Sequence, residues 1–234
     1  GAIDEVYVYS SALDAASIQV LYDAVSTAPT VTPLPTTNFF QATLVAHYSF
    51  DDDTAADDSD SSLDGTITGA TATAGLFGSV AMAFDGVDDY VEFPSAVTAD
   101  IQGSSSRTIC LWAAIDSFSS DGGLFDYGSY SNYENFALRV HGTSASLKVQ
   151  LFAADTDVAL SGSDDGGWHH YCLTYDGSAW YLYFDGSQAA TATVAVNTGS
   201  DNPLRLGRWA GGDYLDGAID EVYVYSSALD AASI

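Results

Sequence analysis

From Leu44 onward, apolar and polar residues alternate in short runs that Gly, Asp and Ser interrupt. A period of two puts successive side chains on opposite faces of an extended chain, so each run reads as a strand with one buried face. LVAHYSF, VAMAFDG, DYVEF, RTICLWAAI and NFALRVH fit this pattern, and so do SLKVQLFA, HHYCLTYDG, AWYLYFDG, LRLG and EVYVY. There is hardly a helical stretch between them. The pattern predicts an all-β fold, two antiparallel sheets packed as a jelly-roll sandwich.

The alternation also occurs once near the start, in IDEVYVY at 3–9. SSALDAASIQVLYDA follows, where Asp14 can cap a short helix that buries Leu13, Ile18 and Leu21. Residues 25–37, VSTAPTVTPLPTT, hold three prolines, five threonines and a serine. Such a tract builds no core and reads as an extended linker. Its Thr27, Thr30, Thr32, Thr36 and Thr37 are candidates for O-glycosylation, whereas no N-x-S/T sequon occurs. The expected organisation is a last strand and trailing helix at 1–24, a linker at 25–40 and one domain at 41–234.

The first eighteen residues, GAIDEVYVYSSALDAASI, return unchanged as residues 217–234. The offset is 217 − 1 = 216 residues, a whole-domain period. Residues 1–24 therefore read as the end of a preceding copy in a tandem array. The alternative is a strand donated between separate subunits.

Charge narrows the partners. Thirty-two acidic residues face five basic ones, for a net charge of −27. Nucleic acid and anionic membranes repel such a chain, and no run is long and apolar enough to span a membrane. Asp accounts for 28 of the acids. Asp is a turn former and a hard oxygen ligand, so the bias fits either a calcium-rich setting or a merely solvated acidic surface.

Four stretches carry a family resemblance when taken in order. They are AFDGVDDYVEF at 83–93, WHHYCLTYDG at 168–177, WYLYFDG at 180–186 and LDGAIDEVYVYSSALDAASI from 215. Together they resemble the laminin G-like, concanavalin A-like jelly-roll domains. The resemblance implies that the first strand lies beside the last, with a short helix after it. Pentraxins, relatives of this fold, carry a disulfide between similar motifs, which implies a Cys110–Cys172 bond and an oxidising, extracellular location. Two buried free thiols are the alternative. The family also implies one structural Ca2+. Asp85 and Asp220 are its candidate ligands, with Asp64 behind them, although DDDTAADDSDSSLDG at 51–65 has Asp60, Ser61 and Ser62 where Gly, Asn and Gly are common. These aspartates could equally cap turns.

Catalysis has little support. The His169–His170 pair belongs to a strand start in this family. His47 and His141 have no nucleophile pattern beside them, and no E-x-D-x-x-E strand of the glycosidase kind exists, Glu92 and Glu134 standing alone. Binding has more. Trp112, Trp168 and Trp180 fall in core motifs, but Trp209 lies in the Gly-rich GRWAGGDY. Tyr127, Tyr130 and Tyr133 recur every three residues in DYGSYSNYENF, read as a loop. These four aromatics could stack on a glycan or dock a neighbouring domain. The expected function is a non-catalytic extracellular repeat unit that assembles with neighbouring copies as a filament or cell-surface fibre. The alternative is a lectin-like carbohydrate-binding module.

Overall fold

The longest alternating runs become the central strands. In the computed structural model, residues 43–234 are described, apart from 60, 77–78, 119–120, 143–145, 161–162, 164 and 211. The expected strand and helix at 1–24, the linker at 25–40 with its threonines Thr27, Thr30, Thr32, Thr36 and Thr37, and Asp60 lie outside the described residues.

In chain order the strands are β1 (Leu44–Tyr48), β2 (Thr66–Thr68), β3 (Thr71–Ala74), β4 (Val80–Asp85), β5 (Tyr90–Glu92), β6 (Arg107–Ile115), β7 (Gly122–Gly128), β8 (Asn135–Val140) and β9 (Ser146–Gln150). They continue with β10 (Thr156–Ala159), β11 (Trp168–Tyr175), β12 (Ala179–Phe184), β13 (Ser187–Thr193), β14 (Asn202–Leu206), β15 (Arg208–Trp209), β16 (Asp213–Tyr214) and β17 (Asp216–Tyr225). One sheet runs β13-β12-β11-β6-β17-β4-β3, with β1 also on β17, and the other runs β10-β9-β8-β7-β14-β5-β2. Every pairing is antiparallel. This is the jelly-roll sandwich that the alternation predicts.

The period of two fixes which side chains meet. Ile109, Leu111, Leu173, Leu182, Val222 and Val224 from the first sheet share one core with Val91, Phe125, Phe136, Leu138, Val149 and Leu206 from the second. Each such side chain contributes about 1.5–3 kcal/mol by leaving water. Trp180 is fully buried, as expected of a core motif. Trp112 and Trp168 are only half-buried, because the register puts them on the opposite side of their strands from Leu111 and Tyr171.

The first strand does lie against the last. Leu44 sits opposite Tyr225, and the Ser226 N–H donates to the Thr43 carbonyl at 2.8 Å. The short helix expected after β17 is one turn, closed by the Ser233 N–H on the Asp230 carbonyl at 2.9 Å. Cys110 and Cys172 are directly opposite on β6 and β11, and they are bonded.

His169 is tied to carboxylates at both ring nitrogens. His169 Nδ1 lies 2.8 Å from Asp185 Oδ2, and its Nε2 lies 3.1 Å from Asp165 Oδ1. Burial opposes the charge on this ring, but hydrogen bonds and charge from the two aspartates outweigh it and hold His169 above its ordinary value of 6.5. A raised histidine stabilises the fold below the unfolded value, and that stability is lost as pH rises through the folded value. The melting temperature should therefore fall as pH rises above about 6.5, and His169→Gln should flatten that slope. An unchanged slope in the variant would remove His169 as its source.

Candidate functional site

Pairing in the second sheet builds a polar row on its outer side. Glu92 is opposite Arg205, Arg205 opposite Asp126, Asp126 opposite Ala137, and Ala137 opposite Gln150, so the row crosses β5, β14, β7, β8 and β9. Their neighbours Val91, Leu206, Phe125, Leu138 and Val149 fill the core on the other side. Arg139 and Lys148 pair in the adjacent row of the same face.

A polar outer face should be wet, yet Asp126, Arg139 and Gln150 are buried. Three loop segments carry aromatic rings over it. Trp209 reaches it from the β15–β16 hairpin, its ring centroid 4.1 Å from the Arg139 guanidinium carbon and 6.0 Å from the Phe152 centroid. Phe152 is 5.7 Å from the ring of Tyr130. Arg208 lies over Tyr90 at 5.2 Å. The hairpin can press onto β7 because β7 begins with two glycines: a Cβ at Gly122 would stand 2.8 Å from the Leu215 backbone, and one at Gly123 would stand 2.3 Å from the Arg208 carbonyl oxygen. Tyr133, Phe152 and Ala210, at the edges of this face, all have positive φ. Non-glycine residues rarely adopt that conformation, which costs backbone energy and gathers at binding sites.

The polar groups are held in place. Asp126 accepts hydrogen bonds from the Asn135 amide and from the Tyr130 hydroxyl, both at 2.7 Å. Burial pushes its carboxyl above the usual range, against those hydrogen bonds and the nearby Arg205 charge. Arg205 Nε donates to Glu92 at 2.7 Å. Arg139 donates to Gln150 at 3.1 Å and pairs with Asp121, while Gln150 donates to Asp155 at 2.6 Å. Asp155 Oδ1 in turn accepts the Leu151 and Phe152 amides, at 2.8 and 2.7 Å, and so sets the Phe152 turn. Trp209 Nε1 and Arg208 Nε have no hydrogen-bond partner among the described residues. In a chain of net charge −27, four of the five basic residues, Arg139, Lys148, Arg205 and Arg208, gather here. Fixed donors and acceptors beside ring planes suit a polyhydroxyl ligand. Glu92 and Asp126 are both tied to protein donors, so the row presents no free acid–base pair.

The structure brings together two of the four aromatics singled out in the sequence and adds others. Trp209 and Tyr130 meet at this face through Phe152, and Tyr133 is exposed in the same loop as Tyr130. Tyr127 is a correction. It belongs to β7 and is fully buried, its hydroxyl donating to the Ile101 carbonyl at 3.0 Å, so it cannot stack on a ligand. Phe152, Arg139, Arg205 and Arg208 are functional candidates that the sequence reading missed. The signal was available in part: so few cations in so acidic a chain mark themselves.

The metal candidates separate. Asp85 pairs with Asp216, and Asp220 lies four residues further along β17, about 13 Å away at strand rise. Asp220 is fully buried and accepts the Leu76 N–H at 2.8 Å, the Ser79 hydroxyl at 3.0 Å and the Glu221 N–H at 2.9 Å. It clamps the 75–79 loop to the central strand. Asp64 accepts the Asp57 N–H at 3.0 Å within its own loop. Asp85 instead joins Asp88 and Asp89, whose carboxylate oxygens can all lie within 4.8 Å of one another. Such a cluster could coordinate a cation. Burial, together with the charges of Asp85 and Asp88, raises the Asp89 carboxyl despite a hydrogen bond from the Asp85 amide.

Residues 85–234 match the family described as concanavalin A-like lectin/glucanases superfamily. The chain belongs to that superfamily. Among solved structures it is similar to domain 4 of AbnA, a GH43 extracellular arabinanase from Geobacillus stearothermophilus, in complex with arabinotriose: 22% identity, TM-score 0.66, covering 82% of this chain and 96% of that one. It is similar to the binding domain of Paraclostridial Mosquitocidal Protein 1, at 14% identity and TM-score 0.66, over 82% of this chain and 51% of that one. It also resembles the binding domain of botulinum neurotoxin DC in complex with SialylT, at 13% identity and TM-score 0.62, over 83% and 50%. The chain thus spans about half the length of the toxin domains. No curated protein sequence matches it. The chain is a disulfide-bridged jelly roll of this superfamily.

Proposed function

We propose that the chain is an extracellular carbohydrate-binding module whose site is the aromatic-roofed outer face of the second sheet. The observation that carries this reading is the seating of Trp209, Phe152 and Tyr130 over the buried Asp126, Gln150 and Arg139, on the face where the chain's scarce cations converge. The likeness to an arabinotriose-bound domain supports a glycan ligand, and the disulfide supports an oxidising location. Titration calorimetry with arabino-oligosaccharides and sialylated glycans tests it. Trp209→Ala should weaken binding about tenfold or more, the ~1.4 kcal/mol or greater that a seated aromatic anchor supplies. Undiminished binding in that variant, or no binding of either glycan class by the wild type, would reject the site.

Asp85, Asp88 and Asp89 are proposed to hold a structural Ca2+, with loop carbonyls completing the six to eight oxygens that the ion requires. Thermal melts run in Ca2+ and in EDTA test this. Chelation should lower the melting temperature of the wild type and leave that of Asp89→Asn unmoved.

A second reading keeps the structural role: an adhesive repeat that partners neighbouring copies in a filament, with an O-glycosylated linker at Thr27, Thr30, Thr32, Thr36 and Thr37. The eighteen residues shared by 1–18 and 217–234 favour it.

A further inference from the structure

We propose that Arg208 makes this face selective for acidic sugars, its guanidinium receiving the carboxylate of a uronic acid residue beside Trp209. The inference rests on the proposed glycan face and names the class of sugar that the face takes.

The chain has five cations, and four are accounted for. Arg139 pairs with Asp121, Lys148 with Asp157 at 3.4 Å and Arg205 with Glu92 at 2.7 Å. Arg107 is sealed in the core. Arg208 is only half-buried, yet it pairs with no carboxylate among the described residues. In a chain with 32 acidic residues that is unexpected, because an accessible cation attracts the nearest of them.

The surroundings of Arg208 explain how it stays unpaired. Its guanidinium carbon lies 5.2 Å from the Tyr90 centroid and 5.9 Å from that of Tyr214, the residue opposite it in the β15–β16 hairpin. Ring faces, rather than carboxylates, hold the charge in place. The backbone is fixed as well: the Arg208 carbonyl lies where a Cβ at Gly123 would stand 2.3 Å from it. Nε is covered and has no partner. Neither Nη nitrogen has an acceptor among the described residues, so the side chain offers its Nη edge to a ligand.

Arg208 also acts on the same spot as the buried row. Burial and the charge of Asp126 push the Tyr130 hydroxyl up, and the charges of Arg205 and Arg208 draw it back. A planar guanidinium held against rings meets a carboxylate edge-on, through two parallel N–H···O bonds that a sugar hydroxyl cannot reproduce. Trp209, the next residue, supplies a ring face for the sugar that carries the carboxylate. The rest of the surface works the other way. With a net charge of −27 and every other cation paired or buried, it repels an acidic sugar and confines it to this face.

Titration calorimetry of the full chain at pH 7 tests the proposal, with trigalacturonic acid, its methyl ester and a neutral arabino-oligosaccharide as probes. The wild type should bind the acid about tenfold or more tighter than the ester. Arg208→Gln should bring the two affinities to within about twofold, and Arg208→Lys, which keeps the charge without the fork, should fall between. Wild-type binding that does not favour the acid overturns the proposal, and so does Arg208→Gln with the preference intact. If the arabino-oligosaccharide still binds in either case, the glycan face itself stands. A lower melting temperature in Arg208→Gln with an unchanged acid-to-ester ratio makes Arg208 a clamp on the hairpin and overturns the proposal too. No binding of any of the three probes rejects the acidic-sugar selectivity together with the face.

Discussion

Replacing Cys110 and Cys172 together by alanine is expected to lower stability by roughly 4 kcal/mol. The two residues are 62 apart in sequence. A link across that separation removes much of the unfolded chain's freedom, and its loss returns that freedom. The folded sheet should change little, because β6 and β11 remain paired over the whole of Trp168–Tyr175. For a domain of this size the loss corresponds to about 10 °C in melting temperature. Urea denaturation should show a lower midpoint and a steeper dependence, since the unlinked chain exposes more surface. Cys172→Ala alone should cost nearly as much, leaving Cys110 buried under Tyr183 and Ile234. A loss below about 1 kcal/mol would mean that the unfolded ensemble already keeps these strands close.

The disulfide was legible because two short motifs carry it. So were the strands whose buried faces are made of branched and aromatic residues: RTICLWAAI, HHYCLTYDG, AWYLYFDG and EVYVY all fall on central strands. Edge strands escaped. TATA in β3 and SQAATAT in β13 have little apolar surface to alternate, and both are mostly exposed. β7 escaped for another reason. Its GGLFDYG reads as loop because glycines stand at both ends, yet the first two are there to let the β15–β16 hairpin press onto the strand. That misreading moved Tyr127 from the core to the surface. The candidate site was half legible. Trp209 and Tyr130 announced themselves as aromatics in polar loops, but the row from Glu92 to Gln150 depends on register across five strands. No local pattern encodes that register. The separation of Asp85 from Asp220 has the same origin: both lie near β17, and only the pairing shows them four residues apart.

Arg107→Ala is expected to cost about 3 kcal/mol, whereas Arg107→Met should stay within about 1.5 kcal/mol of the wild type. Arg107 is fully buried and pairs with no carboxylate among the described residues. Its guanidinium lies between two rings, 4.6 Å from the centroid of Phe136 and 4.7 Å from that of Tyr175. Nη1 donates to the Ile101 carbonyl at 2.6 Å and to the Gly103 carbonyl at 3.2 Å, while Nε and Nη2 find no acceptor. Ring faces and carbonyls offset the desolvation of the charge, but incompletely. Alanine opens a void between the rings. Methionine fills it without a charge to desolvate, and both carbonyls keep other donors, Tyr127 for Ile101 and the Thr198 N–H for Gly103. Arg107→Lys should fall near alanine, because an ammonium cannot lie flat between two rings and has only two carbonyls for its three donors. The consequence reaches the face proposed to bind glycan. Gly103 and Thr198 exchange hydrogen bonds, and the neighbouring Asn197 and Gly199 amides donate to the Tyr133 and Glu134 carbonyls, which support the loop bearing Tyr130. Glycan affinity should therefore drop in Arg107→Ala and hold in Arg107→Met. Equal damage from alanine and methionine would show that the tether to Ile101 and Gly103, rather than the volume between the rings, is what the fold needs from this residue.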